Sequence, residues 1–167
     1  MNRFVAASLL CLTLTAPALA DGKVYVQLPT FGPFEGNEAE DLLYHLVVAN
    51  IVSSNCAGYE VTDAEWSLLT DSADLVAYGE LKLSTNDFDN LFYDPAFDLL
   101  DDPTTCETEG PGVEPMLAEL VQLGGSREPL PDQDKAYTEW RALMDRIQAE
   151  AAASHADAPP AGKTKTK

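Results

Sequence analysis

The stretch SSNCAGYEVTDAEW, residues 53–66, holds a helix end, a cysteine, a glycine and a helix start in close succession. Thr62 and Glu65 stand three apart, the spacing at which a hydroxyl caps a helix and a carboxylate returns the hydrogen bond. Val61 and Trp66 occupy the two apolar positions that staple around such a cap. Trp66, Leu69, Ala73, Val76 and Ala77 follow at helical spacing and predict one core-facing stripe. The device returns at Leu83, Ser84, Asp87 and Phe88, so a second helix is expected to start there. Upstream, Asn37 is placed to cap a helix whose first turn carries Glu38, Glu40 and Asp41, acids that complement the helix dipole. From Leu42 to Val52 the apolar residues run nearly all the way round, the pattern of a central helix with little exposed face.

The helix that opens at Ser84 meets Pro95, and Asp94-Pro95 reads as a cap with a first-position proline, so a fresh short helix is expected there. A fourth helix is predicted over 113–123, with Val113, Leu117, Leu120 and Val121 inward and Gly124-Gly125 ending it. GGSREPLPDQD, 124–134, has the composition of a linker. A fifth helix over about 133–152 carries the stripe Ala136, Trp140, Leu143, Met144 and Ile147, which either packs on the body or docks a partner through Trp140, Leu143 and Ile147. The fold class is therefore all-α, a small bundle of about five helices preceded by an extended N-terminal arm.

The first twenty residues, MNRFVAASLLCLTLTAPALA, join a lone Arg3 to an apolar run too short to span a bilayer and end in the small-x-small Ala18-Leu19-Ala20. That is the pattern of a cleavable signal. The reading divides the chain into a signal (1–20), an arm (21–36), a helical domain (37–125), a linker with a C-terminal helix (126–152) and a Lys-ended disordered tail (153–167). Export places the chain in an oxidising compartment, a periplasm, where Cys56 and Cys106 are expected to pair. A redox or nucleophilic role fits them poorly. They are 50 residues apart rather than in a C-x-x-C, and Asp101, Asp102, Glu107 and Glu109 crowd Cys106 with charge that raises a thiol's pKa.

Charge is the other strong feature. The chain holds 28 Asp and Glu against 10 Lys and Arg, and 20 of the acids lie between Glu35 and Glu119, where the single base is Lys82. Such a field repels nucleic acid and anionic lipid and attracts cations or basic partners. Asp87, Asp94, Asp98 and Asp101 fall within about 60° of one another on an ideal helical wheel. Oxygen ligands in such a stripe suit a hard cation, so a weak Ca²⁺ site is one expectation, against an ordinary solvated helix face. Hydrolase chemistry finds little footing. The histidines are His45, flanked by Tyr44 and Leu46 on an apolar helix, and His155 near the C-terminus, and there is no G-x-S-x-G, H-E-x-x-H, P-loop or G-x-G-x-x-G.

An "NC" closing a long apolar helix, a helix-opening TDAEW, then PTTC before another helix and Gly-Gly resembles small signal-bearing alphaproteobacterial proteins of unknown function that carry two spaced cysteines in an all-helical domain. The resemblance covers residues 37–125. It implies a helical fold and a periplasmic setting, and brings no activity, cofactor or site residue. The functional expectation is a non-enzymatic acidic binding or accessory protein for a basic or client protein, with no membrane span. A Ca²⁺-responsive protein is the first alternative and a hydrolase the second.

Overall fold

The computed structural model describes residues 22–156; the expected signal and the tail from residue 157 lie outside the described residues. Among the described residues the helices group into five rods. The first is α1 (Glu38–Asn55). The second is α2 (Asp63–Asp74), which runs on into a π-helical segment, Leu75–Glu80. The third is a composite: α3 (Thr85–Phe88), a π segment Asp89–Tyr93, α4 (Asp94–Asp98) and a 3-10 turn Leu99–Asp101. The fourth joins α5 (Thr105–Thr108) through the 3-10 turn Gly110–Gly112 to α6 (Val113–Gln122), and α7 (Gln133–Ala156) is the fifth. Among the described residues the only β pairing is one antiparallel bridge, Val26 to Pro129.

α1 is the axis of the molecule. Leu43, Leu46, Val47 and Val52 are fully enclosed, and α2, α4, α6 and the first π segment all pack on it. Side chains that are apolar all round leave a helix no stable place but the centre. Its start differs from expectation: the Asn37 side chain makes no cap bond, and the Glu38 carboxylate reaches back to the Glu35 N–H at 2.9 Å. The α2 cap is as expected, with Thr62 Oγ1 accepting from the Glu65 N–H and Glu65 accepting from the Thr62 N–H. Leu69, Ala73, Val76 and Ala77 are buried, but Trp66, expected on that stripe, is 40% exposed. The buried arc of α2 also takes in Ala64, Ser67, Leu68, Asp71 and Ser72, which leaves Trp66 at its edge.

Pro95 bends the expected scheme less than it might. Proline removes an N–H and collides with the carbonyl four residues back. The π segment ahead of it bonds five residues apart instead, so the rod continues through Asp94 in helical conformation. Pro111 falls in the 3-10 turn and Pro115 in the first turn of α6, where an N–H has no intrahelical partner to lose. α6 ends as Gly124-Gly125 foretells. Gly124 takes φ +97° and donates to the Val121 carbonyl, and Gly125 donates to Leu120 at 2.9 Å, which is a Schellman motif.

Cys56, the residue after α1, and Cys106, in α5, form the disulfide, with Cα atoms 5.4 Å apart. Next to it Gly110 packs against the Tyr59 ring, and a Cβ at position 110 would lie 2.2 Å from the nearest ring carbon. Gly110→Ala is therefore expected to destabilise by about 1–3 kcal/mol, as overpacking does. Combining it with Tyr59→Ser should lose less than the sum of the two changes. Equal urea midpoints for wild type and Gly110→Ala would refute this.

The arm and the linker hold each other. Leu130 N–H donates to the Tyr25 carbonyl, Ser126 N–H to Gln27 and Thr30 N–H to the Leu123 carbonyl. The Gln133 side chain both accepts from the Tyr25 N–H and donates to its carbonyl. The linker is further tied by Arg127, which reaches Glu65 and, by two bonds, Glu114. α7 packs on the first π segment and remains helical to Ala156, beyond the expected end at 152. Its last turn is fixed because Ser154 donates to the Glu150 carbonyl and His155 Nε2 lies 2.6 Å from the Lys82 carbonyl. Among the described residues no helix is long and apolar enough to cross a membrane.

Candidate functional site

Two regions bear on function, and the third rod is the first. Asp87 is engaged in its own helix cap, bonded to Ser84 Oγ through both its N–H and its carboxylate. Asp94, Asp98 and Asp101 are exposed, but they do not join Asp87 as a ligand set. Among the described residues no three or more His, Cys, Asp or Glu side chains converge on a place for a metal ion. The wheel that aligned the four aspartates assumed a uniform turn. The π segment 89–93 widens the turn and the 3-10 stretch 99–101 tightens it, so the stripe loses its phase.

The same rod instead presents Leu91, 60% exposed, and Phe97, 51% exposed, among the exposed carboxylates Asp89, Asp94, Asp98, Asp101 and Asp102. None of these five takes part in an ion pair among the described residues; the ion pairs there involve Asp71, Glu65, Glu114, Glu139, Asp145 and Glu150. Phe97 is footed on Tyr93, with ring centroids 6.5 Å apart, and Tyr93 on the buried Phe88 at 5.0 Å. The Asp102 carboxylate accepts from the Thr104 N–H and hydroxyl, which holds it below the usual carboxylate range.

The second region lies beneath the arm and was not among the expected sites. Asp71, on the inner side of α2, is 1% exposed, and the Lys23 ammonium reaches it at 2.5 Å. That ammonium also sits 3.7 Å above the Trp140 ring and 5.4 Å from the Tyr25 ring. Burial lifts the Asp71 carboxyl above its ordinary 3.8, against the opposing pull of Lys23. Asp74, one helical turn on, is pushed up to about 7, first by burial and then by the Asp71 charge, with Lys23 working the other way. Tyr93 faces the same group: burial, then the Asp74 charge, pushes its phenol up to about 12. The Trp140 indole N–H is buried at this cluster, and its pull on the Asp71 carboxyl, like that of Lys23, opposes the effect of burial.

The remaining candidates are used by the fold. Trp140, Leu143 and Ile147, open to a partner in the sequence reading, face the chain's own core. Ile147 is buried, and Trp140 and Leu143 pack partly buried against the core cluster. His45 stands exposed on α1 against the Tyr44 ring, and His155 is engaged with the Lys82 carbonyl. Comparison with known protein families, with curated proteins and with solved structures finds no match to this chain.

Proposed function

We propose that this is a non-enzymatic binding protein of an exported, oxidising compartment, a periplasm, and that its third rod captures a basic amphipathic segment of a partner protein. The observation that carries the reading is the pairing of Leu91 and Phe97 with the exposed carboxylates Asp89, Asp94, Asp98 and Asp101 of the same rod, none of which is in an ion pair among the described residues. Apolar side chains of that size at the surface gain from being covered, and the surrounding charge selects a partner rich in Lys and Arg. The disulfide and the acidic composition support the compartment. The resemblance to signal-bearing two-cysteine helical proteins belongs to the same proposal.

A Lys/Leu amphipathic peptide should bind in calorimetry, and a Glu/Leu peptide of equal length should not. Raising salt from about 50 to about 300 mM should weaken binding about tenfold. Leu91→Ser/Phe97→Ser should abolish binding while leaving the melting temperature unchanged, because both side chains already face water. Undiminished binding by that double variant would mean attraction by diffuse charge alone and would end the reading.

A further inference from the structure

The chamber beneath the arm holds one ammonium group with a set of partners that exceeds what a structural ion pair requires. Lys23 Nζ meets the Asp71 carboxylate at 2.5 Å, the face of Trp140 at 3.7 Å and that of Tyr25 at 5.4 Å. A buried carboxylate and two aromatic faces around one cation is the composition by which proteins recognise alkylammonium ligands, the rings attracting the charge through their quadrupoles and the carboxylate fixing its position. The pair Tyr25 and Trp140 is itself packed, with centroids 5.7 Å apart and planes tilted by 52°, so the cage is preformed. The Gln133 clamp on Tyr25 holds that wall independently of Lys23.

The cage is also reachable. A cleft of about 190 Å³ adjoins it, lined by Asp71, Trp140, Tyr25, Gln27 and Glu139. Glu139 stands exposed on α7 at its margin, where it pairs with Lys135. Lys23 enters from the arm, and its side chain remains 17% exposed.

We propose that Asp71, Trp140 and Tyr25 form a binding site for a primary alkylammonium group, and that Lys23 is its built-in occupant, exchangeable for an external amine. The site is separate from the third rod, and it stands whether or not that rod binds a basic partner. The shared ligand chemistry is a primary ammonium on an unbranched carbon chain. It is supplied either by a free diamine or by a lysine side chain.

Chemical rescue tests it. Lys23→Ala empties the cage and is expected to lower the melting temperature. n-Butylammonium or cadaverine should then raise it by about 3 °C or more above the effect of NaCl at matched ionic strength. Adding Asp71→Asn should erase that rise. Nα-acetyl-lysine amide is the arm that separates sources. A rise with it too assigns the cage to lysine side chains, and a rise with the simple amines alone assigns it to free amines. No rise beyond NaCl, or an equal rise in Lys23→Ala/Asp71→Asn, overturns the site. Should Lys23→Ala fail to fold, the wild-type chain carries the test through its two indole N–H resonances. Cadaverine at about 100 mM, enough to compete with a tethered group at millimolar effective concentration, should shift the Trp140 signal and leave that of Trp66, which does not line the cleft, in place. An unmoved Trp140 signal overturns the proposal as well.

Discussion

Replacing both Cys56 and Cys106 with Ser is expected to lower the unfolding free energy by about 4 kcal/mol, the loop-closure value for the 50-residue separation they bridge. The loss is large beside the 5–15 kcal/mol, roughly, that holds a domain of this size together. The composition of the loop acts in the same direction as its length. Residues 57–105 contain twelve acids and one base, Lys82, so the unfolded loop repels itself and expands once the bridge is gone. The folded chain has few compensations there, because the exposed Asp89, Asp94, Asp98 and Asp101 of the third rod have no ion pair among the described residues. The double variant is preferred to a single one, which would leave a buried thiol open to unwanted pairing. Guanidinium titration of oxidised wild type, reduced wild type and the Ser double variant should give a common, lower stability for the last two. The slope against denaturant should rise as the unfolded state opens. A loss below about 1 kcal/mol would mean that the two chain ends are held together in the unfolded state by other means.

The bridge was legible in the sequence because its evidence is not geometric. Two cysteines in a chain whose N-terminus reads as an export signal are expected to pair, and their helical surroundings only had to permit it. The helix starts at Thr62 and Ser84 were legible for a different reason: each is settled by four neighbouring residues whose bonds close locally. Failure begins where a side chain's fate depends on a distant segment. Asp71 looks like any acid on an amphipathic helix, and only the return of an arm 48 residues away turns its face inward. Nothing in the spacing of α2 announces that. The one signal was a Lys beside Tyr25 in an otherwise base-poor chain, and it is weak. The π segments account for the other miss. A bond that skips five residues instead of four is chosen by packing, as where the Asp94 N–H meets the Asp89 carbonyl, and it rotates every later side chain of that rod. The aspartates from 87 to 101 share one face only on a uniform helix without that rotation. Trp66 was misplaced by a smaller margin, because the buried arc of α2 is wide and its centre falls on Leu68, Leu69 and Ser72 rather than on the stapling position.

Asp74→Asn is expected to make the protein more stable at pH 8, by about 1–3 kcal/mol, and to remove much of its pH dependence between about pH 4 and pH 7. The groups that face this carboxyl are Asp71 on its own helix, Lys23 from the arm, Tyr78 from the first π segment and Tyr93 from the third rod. Burial and the Asp71 charge outweigh Lys23, so the folded state holds the Asp74 proton up to about pH 7, whereas an unfolded aspartate releases it near 3.8. In that window the folded state binds more protons than the unfolded state. Stability from this group is therefore greatest in acid, falls as pH rises from about 4 to about 7, and is level above that. The whole difference corresponds to about 4 kcal/mol, since each pKa step is about 1.36 kcal/mol, and an amide that finds imperfect partners recovers part of it. Asp71, also raised, adds a slope of the same sign that the variant keeps. The repulsion of a chain with a formal charge of −18 is likewise nearly common to both proteins. The wild-type minus variant difference across pH thus isolates one carboxyl. Urea midpoints measured from pH 4.5 to 8 should diverge steadily with rising pH and run parallel above about 7. Curves that stay parallel throughout, or a variant that is the less stable protein at pH 8, would show that Asp74 is charged and satisfied in the folded chain at neutral pH.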